Sequence, residues 1–445
     1  MSRHGPNREG LGEDIEEAEE AFIDLEDPDV DILDESALNE EDGDDASDMH
    51  DNDAGMGEEY TENERESEGD CGDGAPQPSA EMEDLNAAPD HKPVRDDAFA
   101  TFVAPGRKPL HALAVHPQNA CIFAVSGEGE EVYILEVSDD AQEPVLKATL
   151  KGHTDTVSLL AFSPNGQCLA SGSLDFTVAI WSTETWERQH TLSDLYGEVM
   201  TLLWHPSSLI LAAGADEAQA AMWNVIKGTL VMYFVGHRGA VTCTAWAPNI
   251  KKLVTGSSDG SVGIFNPKTG DQEVSISKDL SPDNAGVTAL QFVNDDQCVV
   301  GCEDGTLHVI SLRSGKVVTH LEDLHEQAIE SLAMNKSSLL LLTASCDCRV
   351  IVWNITDFSP RITLDVGESV IPAVWSHSNL IAAGCSDGVV RVWDGRSPAQ
   401  DPIAELMGHR RMILSLVTTS TILASTSDDG TVKFYHFTES FHKLP

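Results

Sequence analysis

From about residue 98 the chain becomes a succession of short runs in which apolar and polar residues alternate, each run cut off by Gly, Asp or Asn. Alternation with a period of two predicts half-buried β-strands, and the cuts predict the turns between them. Residues 169–181, 341–353 and 381–393 superpose residue for residue, each ending in Trp with an Asp six positions earlier (Asp175, Asp347 and Asp387). Extending that register gives eight aromatic or apolar anchors: Leu135, Trp181, Trp223, Phe265, Ile310, Trp353, Trp393 and Tyr435. Successive anchors lie 46, 42, 42, 45, 43, 40 and 42 residues apart.

A period of this length with four strands per unit predicts an all-β propeller, because one such sheet cannot bury both faces until its neighbours stack on it. The count is eight blades, with seven as the alternative if residues 107–137 pair differently. Repeat one is weakest, with Gly129 at the turn-Asp position and Leu135 as anchor, and repeat three is irregular, its Asp216 standing seven residues before Trp223. Residues 98–103 are expected to supply the outer strand of the last blade, which would leave no open sheet edge.

Polar residues recur at the same period. His153, His237 and His325 stand 28 residues before their anchors, and His409 stands 26 before. The pattern predicts buried chains of His, strand Ser or Thr, turn Asp and Trp: His153, Ser171, Asp175 and Trp181, then His325, Thr343, Asp347 and Trp353. His237, Thr255 and Asp259 form a third, shortened because Phe265 has no indole donor. His409, Ser425 and Asp429, and Asp387 with Trp393, occupy the corresponding structural positions of the last two repeats. About three networks are complete on this reading. Repeats one, three, five and seven lack the histidine and are expected to hold by packing alone. Recurrence at the repeat period argues for structure and against catalytic bases.

Residues 1–97 are different: 36 Asp and Glu face five Lys and Arg there, against 39 and 22 in the other 348 residues. Such a segment cannot bury enough apolar surface to offset chain entropy, so a disordered acidic tail is expected at 1–97 and the propeller at 98–445. Residues 21–25 and 30–33 thread Phe, Ile, Leu and Val through acid, and read either as incidental or as a short interaction motif. The net charge of −48 repels nucleic acid and anionic membrane and attracts basic partners. No direct nucleic-acid binding and no membrane insertion are therefore expected, nor is any apolar N-terminal leader visible.

Nine scattered cysteines read as reduced, core-facing thiols of a cytosolic or nuclear protein. Cys346 and Cys348 lack a second pair at zinc spacing, so neither metal nor cofactor is expected. Residues 256–260 match G-x-S-x-G, but in a turn between strands and not at a strand-to-helix elbow. No phosphate-binding glycine loop is present. A non-enzymatic, monomeric binding protein is the expectation.

The loops leading into the inner strands carry Lys108, Asp155, Glu198, Arg238, Asp283, Glu326, Glu368 and Arg410, with Glu130, Glu217, Glu303 and Asp428 beside the turns. Repeats five to seven thus read as one acidic arc and repeats two and three as another. Asp155, Glu198, Asp283, Glu303, Glu326, Glu368 and Asp428 are the candidate partner-binding residues, suited to a Lys/Arg-rich peptide.

Residues 284–292, 301–308, 384–394 and 408–416, together with the acidic tail and the repeat count, resemble the WD-repeat family of angio-associated migratory cell protein and its fungal ribosome-assembly counterpart. The resemblance implies a chaperone that holds a basic segment of a large-subunit ribosomal protein during 60S assembly. It also leaves open a scaffold in cell migration and angiogenesis. Separately, Trp393-Asp-Gly-Arg396 fits a box used by cullin ubiquitin-ligase substrate receptors.

Overall fold

The computed structural model describes residues 95–437 except 139–142, 278–279, 281–283 and 322–324. The tail expected at 1–97 therefore lies almost wholly outside the described residues. Among the described residues, thirty-two strands form eight four-stranded antiparallel sheets. The eight-blade count holds, and residues 107–137 pair as a full blade: Leu110–His116, Asn119–Gly127, Glu131–Glu136 and Val145–Lys151.

Blades 2 to 7 follow in order, their inner strands being Val157–Phe162, Val199–Trp204, Val241–Trp246, Val287–Phe292, Ile329–Asn335 and Val370–Trp375. Blade 8 is built from Ile413–Thr418, Ile422–Ser427 and Thr431–His436, with Ala100–Val103 as its outer strand. That last strand runs antiparallel with Ala100 opposite Phe434 and Val103 opposite Thr431. The ring is thus closed by the two ends of the propeller sequence pairing in one sheet.

All eight anchors lie on the third strand of their blades and are at most 3% exposed. The second strands are buried along nearly their whole length, as in Cys168–Ser173, Ile210–Ala215 and Leu340–Ser345. Both faces of these strands meet a neighbour, so alternation gives way there to runs of small and aliphatic residues. The buried apolar side chains gather into eight clusters, each shared by two adjacent blades.

Glycine makes the blade-to-blade approach possible. A Cβ on Gly214 would stand 2.6 Å from the Val241 side chain, and one on Gly256 would stand 2.5 Å from that of Val287. Each inner strand also slips register near its start, as between Val199 and Thr201 or Ile329 and Ser331. Such a bulge turns the extra residue (Met200 or Glu330 here) out of the ladder.

Candidate protein-binding face

The polar chains come first, because they hold the loops of the face. In blade 2 the Trp181 indole donates to Ser171 Oγ at 2.8 Å. Ser171 meets His153 Nε2 at 2.8 Å, and His153 Nδ1 meets Asp175 Oδ2 at 2.9 Å. With Ser171 donating to Nε2 and the ring donating from Nδ1 to the carboxylate, every member is satisfied. Blade 6 repeats the chain through Trp353, Thr343, His325 and Asp347, at 3.1, 2.8 and 3.0 Å.

Blade 4 departs from the expected set. His237 reaches Thr255 at 2.6 Å, but its Nδ1 bonds Ser261 at 2.7 Å, and Ser261 passes the bond to Asp259. The Asp259 carboxylate stands 3.8 Å from the ring. Blade 8 carries a fourth histidine chain, with His409 on Ser425 at 2.7 Å and shared between Thr431 and Asp429 at 3.0 and 3.2 Å. Two chains thus end on an indole and two do not; the His409 chain is a fourth beside the three counted from the sequence.

The odd blades do not hold by packing alone. In blade 3 Asp194 accepts the Trp223 indole at 2.6 Å, and in blade 5 Asp304, Thr306, His308 and His320 form a chain. In blade 7 Asp387 takes the guanidinium of Arg391 instead of a histidine, while Trp393 donates to the Gln400 carbonyl. Blade 1 uses Tyr133 and Lys151 on Glu131. Each has its own polar contact where the repeat histidine is missing, a choice the period-based register does not reveal.

Burial pushes the Asp175, Asp259 and Asp429 carboxyls up, but the hydrogen bonds they receive outweigh it and hold all three below their ordinary range. One of those bonds comes from the backbone just after each histidine: Thr154, Arg238 and Arg410. Asp347 receives Glu326 N–H in the same way. The turn carboxylate therefore clips the lead-in loop to the turn and presents the residues beside it. In parallel, the residue seven before each anchor bonds back to the same loop, as Glu303 N–H does to Gly286 and Asp428 N–H to Met412.

This geometry places the candidate binding residues. Asp155 and Glu303 are exposed, and Glu198 is half-buried, on one face of the ring. Glu326 is exposed but paired with Arg349 at 3.1 Å, and Asp428 is paired with Arg411 at 3.2 Å. Glu368 accepts a bond from Ser386 at 2.8 Å. Asp283 lies outside the described residues. Arg349 therefore interrupts the arc read across blades 5 to 7, whereas blades 2 and 3 keep theirs.

Two acids of the face were not singled out from the sequence. Glu128 and Asp216 occupy the places that Glu303 and Asp428 occupy in their blades, bonding Pro109 and Glu198 carbonyls. All four stand seven residues before their anchors, which was the available signal. Asp216 is thus no displaced turn Asp; Glu217 is its exposed neighbour, and Glu130 stands exposed two residues after Glu128.

Residues 144–182, 228–266, 276–311, 315–354, 369–394 and 400–436 match the WD domain, G-beta repeat family. The third strands of blades 1 and 3, whose turn positions are irregular, fall outside those matches. The chain is 23% identical over 358 residues to angio-associated migratory cell protein of Homo sapiens, covering 76% of this chain and 80% of that protein. In fold it is similar to Saccharomyces cerevisiae Sqt1, with a TM-score of 0.70 and 17% identity over 77% of this chain and 100% of the other. The Chaetomium thermophilum Sqt1 bound to the N-terminus of the ribosomal protein L10 is similar too, with a TM-score of 0.67 and 21% identity over the same shares.

Proposed function

We propose that this chain, which belongs to the WD-repeat proteins, uses its loop face to hold a basic segment of a ribosomal protein until that protein is assembled. The observation that carries the reading is the acid of blades 2 and 3. Asp155, Glu198, Asp216 and Glu217 stand on their loops, and between Lys151 and Lys227 the sequence has one Lys or Arg, Arg188. Arg188 donates to the Gly152 carbonyl at 3.4 Å, so the acids outnumber the cations here.

Acid in excess of local counter-charge accelerates and orients a cationic partner, and its attraction weakens with salt. The Sqt1 complex with the N-terminus of ribosomal protein L10 supports that kind of ligand for a propeller of this shape. Assembly of the large ribosomal subunit is the process such a chaperone would serve, in the cytosol or nucleus, and a closed ring suits action as a monomer. Affinity capture from cell extract at low and high salt tests this. One ribosomal protein at equal stoichiometry, released by salt, is the expected result. Cullin subunits, or a broad set of signalling proteins, would refute it.

A further inference from the structure

We infer that Phe176 and Tyr196 form an aromatic cradle on the loop face of blades 2 and 3 that takes an arginine or lysine side chain of the bound peptide. The inference deepens the proposed function and rests on it. Among the described residues, these two are the aromatics that stand among the exposed large hydrophobic side chains, at 46% and 74%. Met200, turned out by the bulge at the start of the blade 3 inner strand, is 38% exposed.

Their proximity follows from the repeat. Phe176 lies directly after the turn Asp, where blades 4, 5, 7 and 8 have Gly260, Gly305, Gly388 and Gly430. Each of those glycines abuts the lead-in loop of the next blade: Gly260 lies against Asn284, Gly388 against His409 and Arg411, and Gly430 against Arg107. The same place in blade 2 puts Phe176 against the loop of blade 3, which carries Tyr196. Phe176 keeps φ at 70°, the left-handed region that glycine fills in those other blades. An L residue is strained there, and a half-exposed side chain recovers little through packing.

Acid surrounds the aromatics. Asp155 precedes the blade 2 inner strand, Glu198 follows Tyr196 by two residues, and Asp216 packs against Gly197 so closely that a Cβ there would stand 1.8 Å from its Oδ1. A purely apolar ligand would bury these carboxylates without a partner, and a nucleic acid would be repelled. A guanidinium or ammonium satisfies both features at once, stacking on the rings while the carboxylates take its charge.

The test titrates a fluorescein-labelled synthetic peptide of the ribosomal protein L10 N-terminus with the full-length protein. The variants are Phe176→Gly, Tyr196→Ala and Tyr196→Phe. Glycine is the residue this fold already uses at the Phe176 position, and Tyr196 faces solvent, so unchanged melting is expected for all three. Binding should weaken about fivefold to tenfold in Phe176→Gly and Tyr196→Ala, and stay near wild type in Tyr196→Phe, which keeps the ring. Replacing the peptide's arginines by citrulline should remove the difference between wild type and the two ring-deleting variants. If the wild-type protein binds and those variants bind equally well, the cradle is overturned while the wider reading stands. If the wild-type protein does not bind the peptide at low salt, both fall.

Discussion

Ser171 and Thr343 each serve two buried donors or acceptors at once, a histidine nitrogen on one side and an indole on the other. Thr255 serves His237 alone among its ring partners, since Phe265 offers no N–H. Removing a hydroxyl that satisfies a buried group costs about 1–3 kcal/mol per group left unpaired. Thr343→Val should therefore destabilise the propeller more than Thr255→Val, by roughly 1–2 kcal/mol in urea unfolding; equal losses would contradict the chain. The histidines set the pH response. Burial lowers His237, His325 and His409, and takes His205 and His308 down to about 4. With folded values below unfolded ones, the unfolded chain gains protons first as pH falls through about 6.5, so stability must decline from there to about 4. For His205 and His308 that decline is on the order of 3 kcal/mol each. The lowered Asp175, Asp259 and Asp429 act in the same direction further down: their contribution is present above about pH 4 and is lost on further acidification. Thermal melts from pH 8 to 3.5 check this, and a flat profile between 7 and 4.5 would contradict it. The positions of His237, His325 and His409 could be read from the sequence because they recur, whereas His205 and His308 stand outside that register. The partners of His308, Asp387 and Trp223 could not, because each lies on a strand or loop with no fixed offset.

At the scale of the element, the strand Ala100–Val103 closes the last blade across more than 300 residues of chain. It brings with it Asp96, which pairs with Lys433 at 2.5 Å, and Phe99, which stacks on His436 with ring centroids 4.2 Å apart. A chain beginning at residue 105 should melt well below one beginning at residue 95 and should self-associate, since the Thr431–His436 edge is then unpaired. Similar melting points and monodisperse sedimentation of both would argue against that closure. The second-strand glycines make a sharper case. Gly256→Val would drive a side chain into Val287 across the blade boundary and should cost about 1–3 kcal/mol or more, measurable by chemical unfolding. In the sequence a glycine inside a strand reads only as a weak point; the neighbouring blade gives it a purpose.

For the whole molecule, charge is distributed around the ring unevenly. Blades 2 and 3 present several acids against the single Arg188, blade 6 offsets Glu326 with Arg349, and the junction of blades 8 and 1 carries Arg410, Arg411, Arg107 and Lys108. A basic peptide should therefore lie toward blades 2 and 3. Charge reversal at Glu198 together with Asp216 should weaken L10-peptide binding by about tenfold or more and flatten its salt dependence. Reversal at Glu326 and Glu368 should do less, because Arg349 already offsets one of them and Ser386 holds the other. Peptide titration by anisotropy at two salt concentrations distinguishes the two pairs, and a larger effect at Glu326 and Glu368 would reverse the assignment.

The pairing of residues 107–137 settled the blade count, while the β-propeller, its eight recurring anchors and the histidine positions of the even blades were legible along the chain. All of these are periodic, and a period survives in one dimension. The sequence also supplied the acid of the loop face, since residues at fixed offsets from an anchor land on the same side of the ring. Which acids are left to act on a partner depends on the folded ring. Whether Arg349 meets Glu326 and what replaces the imidazole in the odd blades both depend on contacts between strands and blades. Those contacts are set by packing in three dimensions, and no regular spacing along the chain encodes them.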